Sequence, residues 1–168
     1  MAAQTSYSYQ TPRGVAGGLY DISPYAIDSR TNGEIVPGAL MFGMGAVQGD
    51  VPGVTVAIPT AGDTGDAFEG IVLTGFTNQQ NMLGEIQIYP QQTVGILRWG
   101  RAWARIAEGV TPAYGESLFL IIDGDEAGLF TTSPGIVDAE NLAINGRFIG
   151  GAGTGAVAPV ELYNQKAE

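Results

Sequence analysis

The groups in this chain that could do chemistry are carboxylates, two glycine-containing loops and one basic aromatic run. Seventeen acidic residues stand against seven basic ones, with no histidine and no cysteine. A serine nucleophile needs a base to take its proton, and the commonest base is missing, so Ser-His-Asp catalysis is excluded. Without cysteine there is no disulfide and no thiolate metal site. Two carboxylates a few ångströms apart could hydrolyse a glycoside, but no pair among the seventeen stands out by position. Gly151-Ala152-Gly153-Thr154-Gly155-Ala156 satisfies G-x-G-x-x-A, the pattern that seats a dinucleotide pyrophosphate on a helix N-terminus. Pro159 interrupts the short stretch that follows it, and no acidic residue can stand about twenty positions further on. A glycine-rich turn before a last strand is the better reading. Asp123-Gly124-Asp125-Glu126-Ala127-Gly128 opens like a calcium loop, yet Ala127 takes a ligand position and Pro134 replaces the closing Glu. A hairpin turn joining Leu118–Ile122 to Leu129–Thr131 explains it without metal. These residues point to a protein that is not an enzyme and takes no cofactor.

The run Arg98-Trp99-Gly100-Arg101-Ala102-Trp103-Ala104-Arg105 holds both tryptophans and three of the seven basic residues. On a strand, odd and even positions face opposite ways. Trp99, Arg101, Trp103 and Arg105 then form a large cationic aromatic face, and Gly100, Ala102, Ala104 and Ile106 a small one that another layer can approach. Arg and Trp are enriched among binding hot spots, so Arg98, Trp99, Arg101, Trp103 and Arg105 are candidate interface residues. The competing reading places the tryptophans in the core and pairs the arginines with nearby acids. Upstream, Tyr7 and Tyr9 alternate within Gln4–Gln10, followed by Pro12 and glycines at 14, 17 and 18. This reads as an extended N-terminal arm over residues 1–20, with Gln4, Tyr7, Tyr9 and Pro12 as further candidate contacts, or as a disordered tail, since an arm that orders only on its partner has the same sequence pattern.

The elements that must position these residues are strands. Short apolar runs are punctuated by 26 glycines and nine prolines, the cadence of an all-β domain. Candidate strands are Ala39–Val47, Val54–Ile58, Gly70–Phe76, Glu85–Tyr89, Val94–Leu97, Arg101–Ile106, Ser117–Ile122, Phe148–Gly150 and Val157–Leu162. Helix is limited to one short piece around Val137–Ala143. Residues 21–168 are expected to form a single all-β domain, a compact jelly roll, sandwich or small barrel that hides its edges.

Composition bounds the partners. The chain is 45% hydrophobic and 14% charged, well below the ~25% charged usual for soluble domains, so part of its exterior is expected to meet protein. A net charge of −10 opposes binding to nucleic-acid phosphates. The longest apolar run, Leu118–Ile122, is too short to span a bilayer, and the first ten residues lack a signal-peptide pattern. A soluble protein that is not exported and has no membrane partner is expected.

In order along the chain, Pro37-Gly38 with Phe42-Gly43, Gly70-Ile71-Val72, the Gly100–Ile106 strand, Gly109 with Pro112, Gly115-Glu116, Gly128, Phe148-Ile149 and Gly155-Ala156-Val157-Ala158-Pro159-Val160-Glu161-Leu162 resemble the structural cement, or capsid decoration, proteins of tailed bacteriophages. Pro159 departs from an unbroken terminal ladder by removing a backbone donor. The resemblance implies a structural virion protein, made in the host cytoplasm, that binds the outer face of the phage head and cements neighbouring capsomers. Its partners would be the major capsid protein and itself, as a homotrimer first and a homodimer second. The alternatives are a carbohydrate-binding β-sandwich module, with Trp99 and Trp103 stacking on sugars, or a tail or baseplate β domain.

Overall fold

The protein is described by a computed structural model over residues 14–75, 79–80, 82–84, 86–136, 139–152 and 156–164. Its regular structure there is all strand apart from a single 3-10 turn at Gly65–Ala67. In chain order the strands are β1 (Ala26–Asn32), β2 (Gly45–Gln48), β3 (Thr55–Ala57), β4 (Phe68–Leu73), β5 (Gln79–Gln80), β6 (Ile86–Gln87) and β7 (Thr93–Arg105). They continue with β8 (Ser117–Leu120), β9 (Phe130–Thr131), β10 (Gly135–Ile136), β11 (Ala139–Glu140), β12 (Leu142–Phe148) and β13 (Val157–Leu162).

The order β1-β3-β2-β4-β7, with β7 pairing back onto β1, closes a small five-stranded barrel. Closure removes the exposed edges that an open sheet of this length would leave. Beyond residue 99 the same strand β7 leaves the barrel and leads a second sheet, β7-β13-β12-β8-β9. That sheet curls back on itself. Phe130 of β9 bridges Ile106 at the end of β7, and the Ala107 N–H donates to the Phe130 carbonyl at 2.9 Å.

Because alternate residues of a strand face opposite ways, the shared strands feed two cores. Val72, Val94 and Ile96 join Leu40, Ala46, Val56 and Ile88 in one cluster. Ile71, Leu73 and Leu97, on the opposite faces of β4 and β7, join Phe68, Leu118, Leu120, Phe130, Ile144, Phe148, Val160 and Leu162 in the other.

The all-β architecture and the barrel agree with the sequence reading, and β13 occupies the expected Val157–Leu162. Several elements differ: β1 stands where no strand is expected, and the strand expected at Phe148–Gly150 is β12, which ends at Phe148. The helix expected around Val137–Ala143 is absent, because β11 and the start of β12 occupy that stretch outside residues 137 and 138. Leu142 and Ile144 alternate onto the core opposite Leu120 and Leu118, and that ladder outweighs the weak local helical pattern. The two strands expected at Val94–Leu97 and Arg101–Ile106 are one strand. Gly100 lets it bend without breaking, holding φ at 124° where a side chain would meet Tyr25. In place of a strand over Ala39–Val47, only β2 forms there. Pro159 stays within a continuous six-residue ladder with β7 and accepts a bond from the Ile149 N–H at 3.0 Å. Its missing donor falls on the β12 side, where that neighbour is ending.

Candidate functional site

The expected two-faced strand is present. Gly100, Ala102, Ala104 and Ile106 are buried, whereas Arg101, Trp103 and Arg105 are partly exposed and Trp99 is 38% exposed. One edge of this half of β7 is paired with β13, in register from Leu162↔Gly100 to Val157↔Arg105. The other edge is taken by residues 17–20. Leu19 bridges Ala102, the Gly17 N–H donates to the Trp103 carbonyl at 2.8 Å, and the Trp103 N–H donates to the Gly18 carbonyl at 2.9 Å. Residues 17–20 are thus anchored on the strip. Gln4, Tyr7, Tyr9 and Pro12 lie outside the described residues.

The tryptophans have different surroundings. Tyr20 packs on the Trp103 ring at 5.5 Å with a 50° tilt, and Gly14 lies so close that a Cβ there would fall within the indole. Trp103 is therefore held between Gly14 and Tyr20. Trp99 lines an open groove with Ser23, Pro24, Arg101 and Tyr163. The two rings do not form a matched pair of open platforms on which a sugar chain could stack.

The arginines also separate. Arg101 sends Nε to Glu161 Oε1 at 2.8 Å and Nη1 to Asp21 Oδ2 at 2.9 Å. Glu161 receives Arg147 Nη2 on its other oxygen at 2.8 Å, and Arg147 in turn lies over the Tyr114 ring at 5.4 Å. Arg101, Glu161 and Arg147 stand directly opposite one another on β7, β13 and β12, so the sheet register itself builds this alternating charge row. Burial pushes Glu161 upward, but the hydrogen bonds from Arg101 and Arg147 outweigh it and hold the carboxyl below its ordinary value. The Glu161 hydrogen bond, followed by that of Asp21, raises Arg101. Hydrogen bonds from Ser23, with Arg101 beside it, hold Asp21 low.

Arg98 is paired with Glu69, which also draws Arg30 at 3.5 Å, and Asp28 stands 3.9 Å from Arg98 Nε. For Arg98 and Arg101 the structure thus realises the pairing with local acids that the sequence left as the competing reading. Arg105 differs. Its Nε donates to the Phe42 carbonyl at 2.8 Å, and among the described residues no carboxylate pairs with it.

Sequence reasoning missed Glu161, Arg147, Asp21 and Glu69 as partners. Glu161 left a signal, since it is the one charged residue in the apolar run Val157–Leu162 and a half-buried carboxylate there needs a cation across the sheet. The others left none. Two carboxylates of the Asp123–Gly128 loop accept backbone N–H groups, Asp123 from Gly124 within the turn at 2.8 Å and Glu126 from Glu108 at 3.0 Å. That loop connects the antiparallel pair β8 and β9, as expected of a hairpin.

Comparison with known proteins adds two findings. A family model described as structural cement protein (E217 gp24/Pam3 gp6) matches residues 3–163. Among solved structures, a chain from the capsid of Myoviridae Phage XM1 is similar, with a TM-score of 0.71 and 19% identity, covering 99% of this chain and 100% of that one. At that identity the likeness is one of fold. No curated protein matches.

Proposed function

The chain belongs to the phage structural cement protein family, and from that premise we propose that it binds the outer face of a bacteriophage head and ties neighbouring capsomers together. Its role is structural and associated with the capsid. The observation that carries the finer reading is the extent of the family match, residues 3–163, which takes in both the arm and the β7 strip. The exposed apolar side chains are consistent with surfaces meant for protein: Val15, Ile22, Ile35 and Tyr114 are each at least 70% exposed, on a chain with few charges.

The mechanism is linkage. A ligand that binds only the assembled shell stabilises it by about 2.7 kcal/mol per site at a hundredfold excess over Kd, and repetition over a lattice multiplies that. The major capsid protein is the partner, with homotrimers, or failing those homodimers, supplying avidity. The arm, with Gln4, Tyr7, Tyr9 and Pro12, adds backbone contacts by pairing with a neighbour's sheet. Of the strip, Trp99 and Arg105 are left for outward contact, while Arg98, Arg101 and Trp103 hold the strand and arm root in place.

Heads assembled without the protein, heated with and without added protein, test this. Reconstituted heads are expected to lose DNA or rupture at a higher temperature, and protein lacking residues 1–13 is expected to occupy fewer sites. Identical rupture temperatures with full occupancy would reject cementing, and no occupancy at all would reject head binding.

A further inference from the structure

Resting on that docking reading, we propose that the cleft around Arg105 recognises a carboxylate flanked by an apolar side chain on the surface of the shell protein. In a chain with seventeen acidic residues, Arg30, Arg98, Arg101 and Arg147 have each acquired an internal carboxylate, and Arg105, alone among the described arginines, has not. Its Nε is held by the Phe42 carbonyl. Anchoring through Nε fixes the plane of the guanidinium and leaves its two Nη groups as a fork, the geometry that binds a carboxylate through two parallel bonds.

The surroundings suit such a ligand. Arg105 lines a cleft of about 190 Å³ with Leu40, Met41, Phe42, Ile86, Gln87 and Ile88, and among the described residues no acidic one is in its lining. Leu40 and Ile88 are buried at the floor, whereas Met41 and Ile86 are 40% and 50% exposed at the rim. The volume is below the ~300–1,000 Å³ of small-molecule sites and fits a side chain or two. An apolar residue entering between Met41 and Ile86 brings the neighbouring carboxylate to the Nη fork. Desolvation of the cleft then strengthens that pair.

Two probes test the cleft. Labelled full-length protein is titrated with acetyl-leucyl-glutamyl-leucinamide and with the glutaminyl analogue, following the Arg105 Nε–H and Met41 methyl resonances. The glutamyl peptide is expected to shift both, at least fivefold more tightly than the glutaminyl one. Arg105→Gln is expected to abolish that preference. Gln87→Glu, which adds a carboxylate to the lining of the cleft and does not touch Phe42, whose carbonyl holds the Arg105 Nε, is expected to weaken both peptide and head binding at least tenfold. Wild-type binding of heads by Gln87→Glu, with no peptide preference, overturns the cleft and leaves head docking intact. Failure of the wild type on heads rejects the docking reading and, with it, the shell protein as occupant. Gln87→Glu that changes only self-association in sedimentation makes the cleft a contact between copies and overturns the proposal.

Discussion

At the scale of single residues, Glu161 shows how register converts a costly group into a stabilising one. A carboxylate in an apolar strand, with its side chain 15% exposed, is unfavourable if unpaired. Here each oxygen receives a guanidinium from the strand on either side. Because the folded state holds Glu161 below its ordinary value of 4.5, its contribution is fully present above that pH. It is lost as pH falls through the lower folded value, since the unfolded chain takes up the proton first. Asp21, also held low, acts in the same direction. Thermal melts of the wild type and Glu161→Gln between pH 7 and pH 3 should therefore show a gap that is constant near neutrality and closes below about pH 4.5. A gap that stays constant down to pH 3 would mean that the row of charges contributes nothing through ionisation.

At the scale of elements, what could be read from the sequence divides by where the deciding information lies. Strands that carry their own pattern are legible from side-chain order, β13 as a short apolar run and the Arg101–Arg105 half of β7 by its alternation. β1 is not. Its run Ala-Ile-Asp-Ser-Arg-Thr-Asn is mostly polar, and it becomes a strand only because β7 supplies a ladder from Ala26↔Trp99 to Thr31↔Thr93. β12 was hidden for a similar reason. The basic aromatic face was legible as a face, but the division of its arginines was not, since Glu69, Asp21 and Arg147 reach it from distant parts of the chain. Gly100 tests the bend that lets β7 serve two sheets. Gly100→Ala meets both an unfavourable φ of 124° and Tyr25 Cβ at 2.7 Å, so a loss of about 2–3 kcal/mol is expected from urea unfolding. Gly53→Ala has a positive φ of 74° and open space, and should cost about 1 kcal/mol. Equal costs would show that the close approach to Tyr25 is not what selects glycine at the bend.

At the scale of the molecule, one strand belongs to both cores, and this has a thermodynamic consequence. Removing β7 opens the barrel and strips the second sheet of its leading strand, so neither part can unfold and leave the other a complete hydrophobic core. A second tie lies at Phe130, fully buried in the second sheet and set edge-on to Phe68 of the barrel at 6.5 Å and 89°. The chain should therefore unfold in one transition, with backbone circular dichroism and tryptophan fluorescence coinciding in urea. Phe130→Ala should lower the stability of that single transition by about 3–5 kcal/mol, moving both probes together. Such coupling also bears on docking. Trp99 and Arg105 are six residues apart on β7, or roughly 20 Å at ~3.4 Å per residue, and under the proposed docking a cooperative body would hold that spacing under load from the shell. Two resolved transitions, with Phe130→Ala moving only one, would mean that barrel and sheet move independently and that no fixed spacing is presented to the capsid.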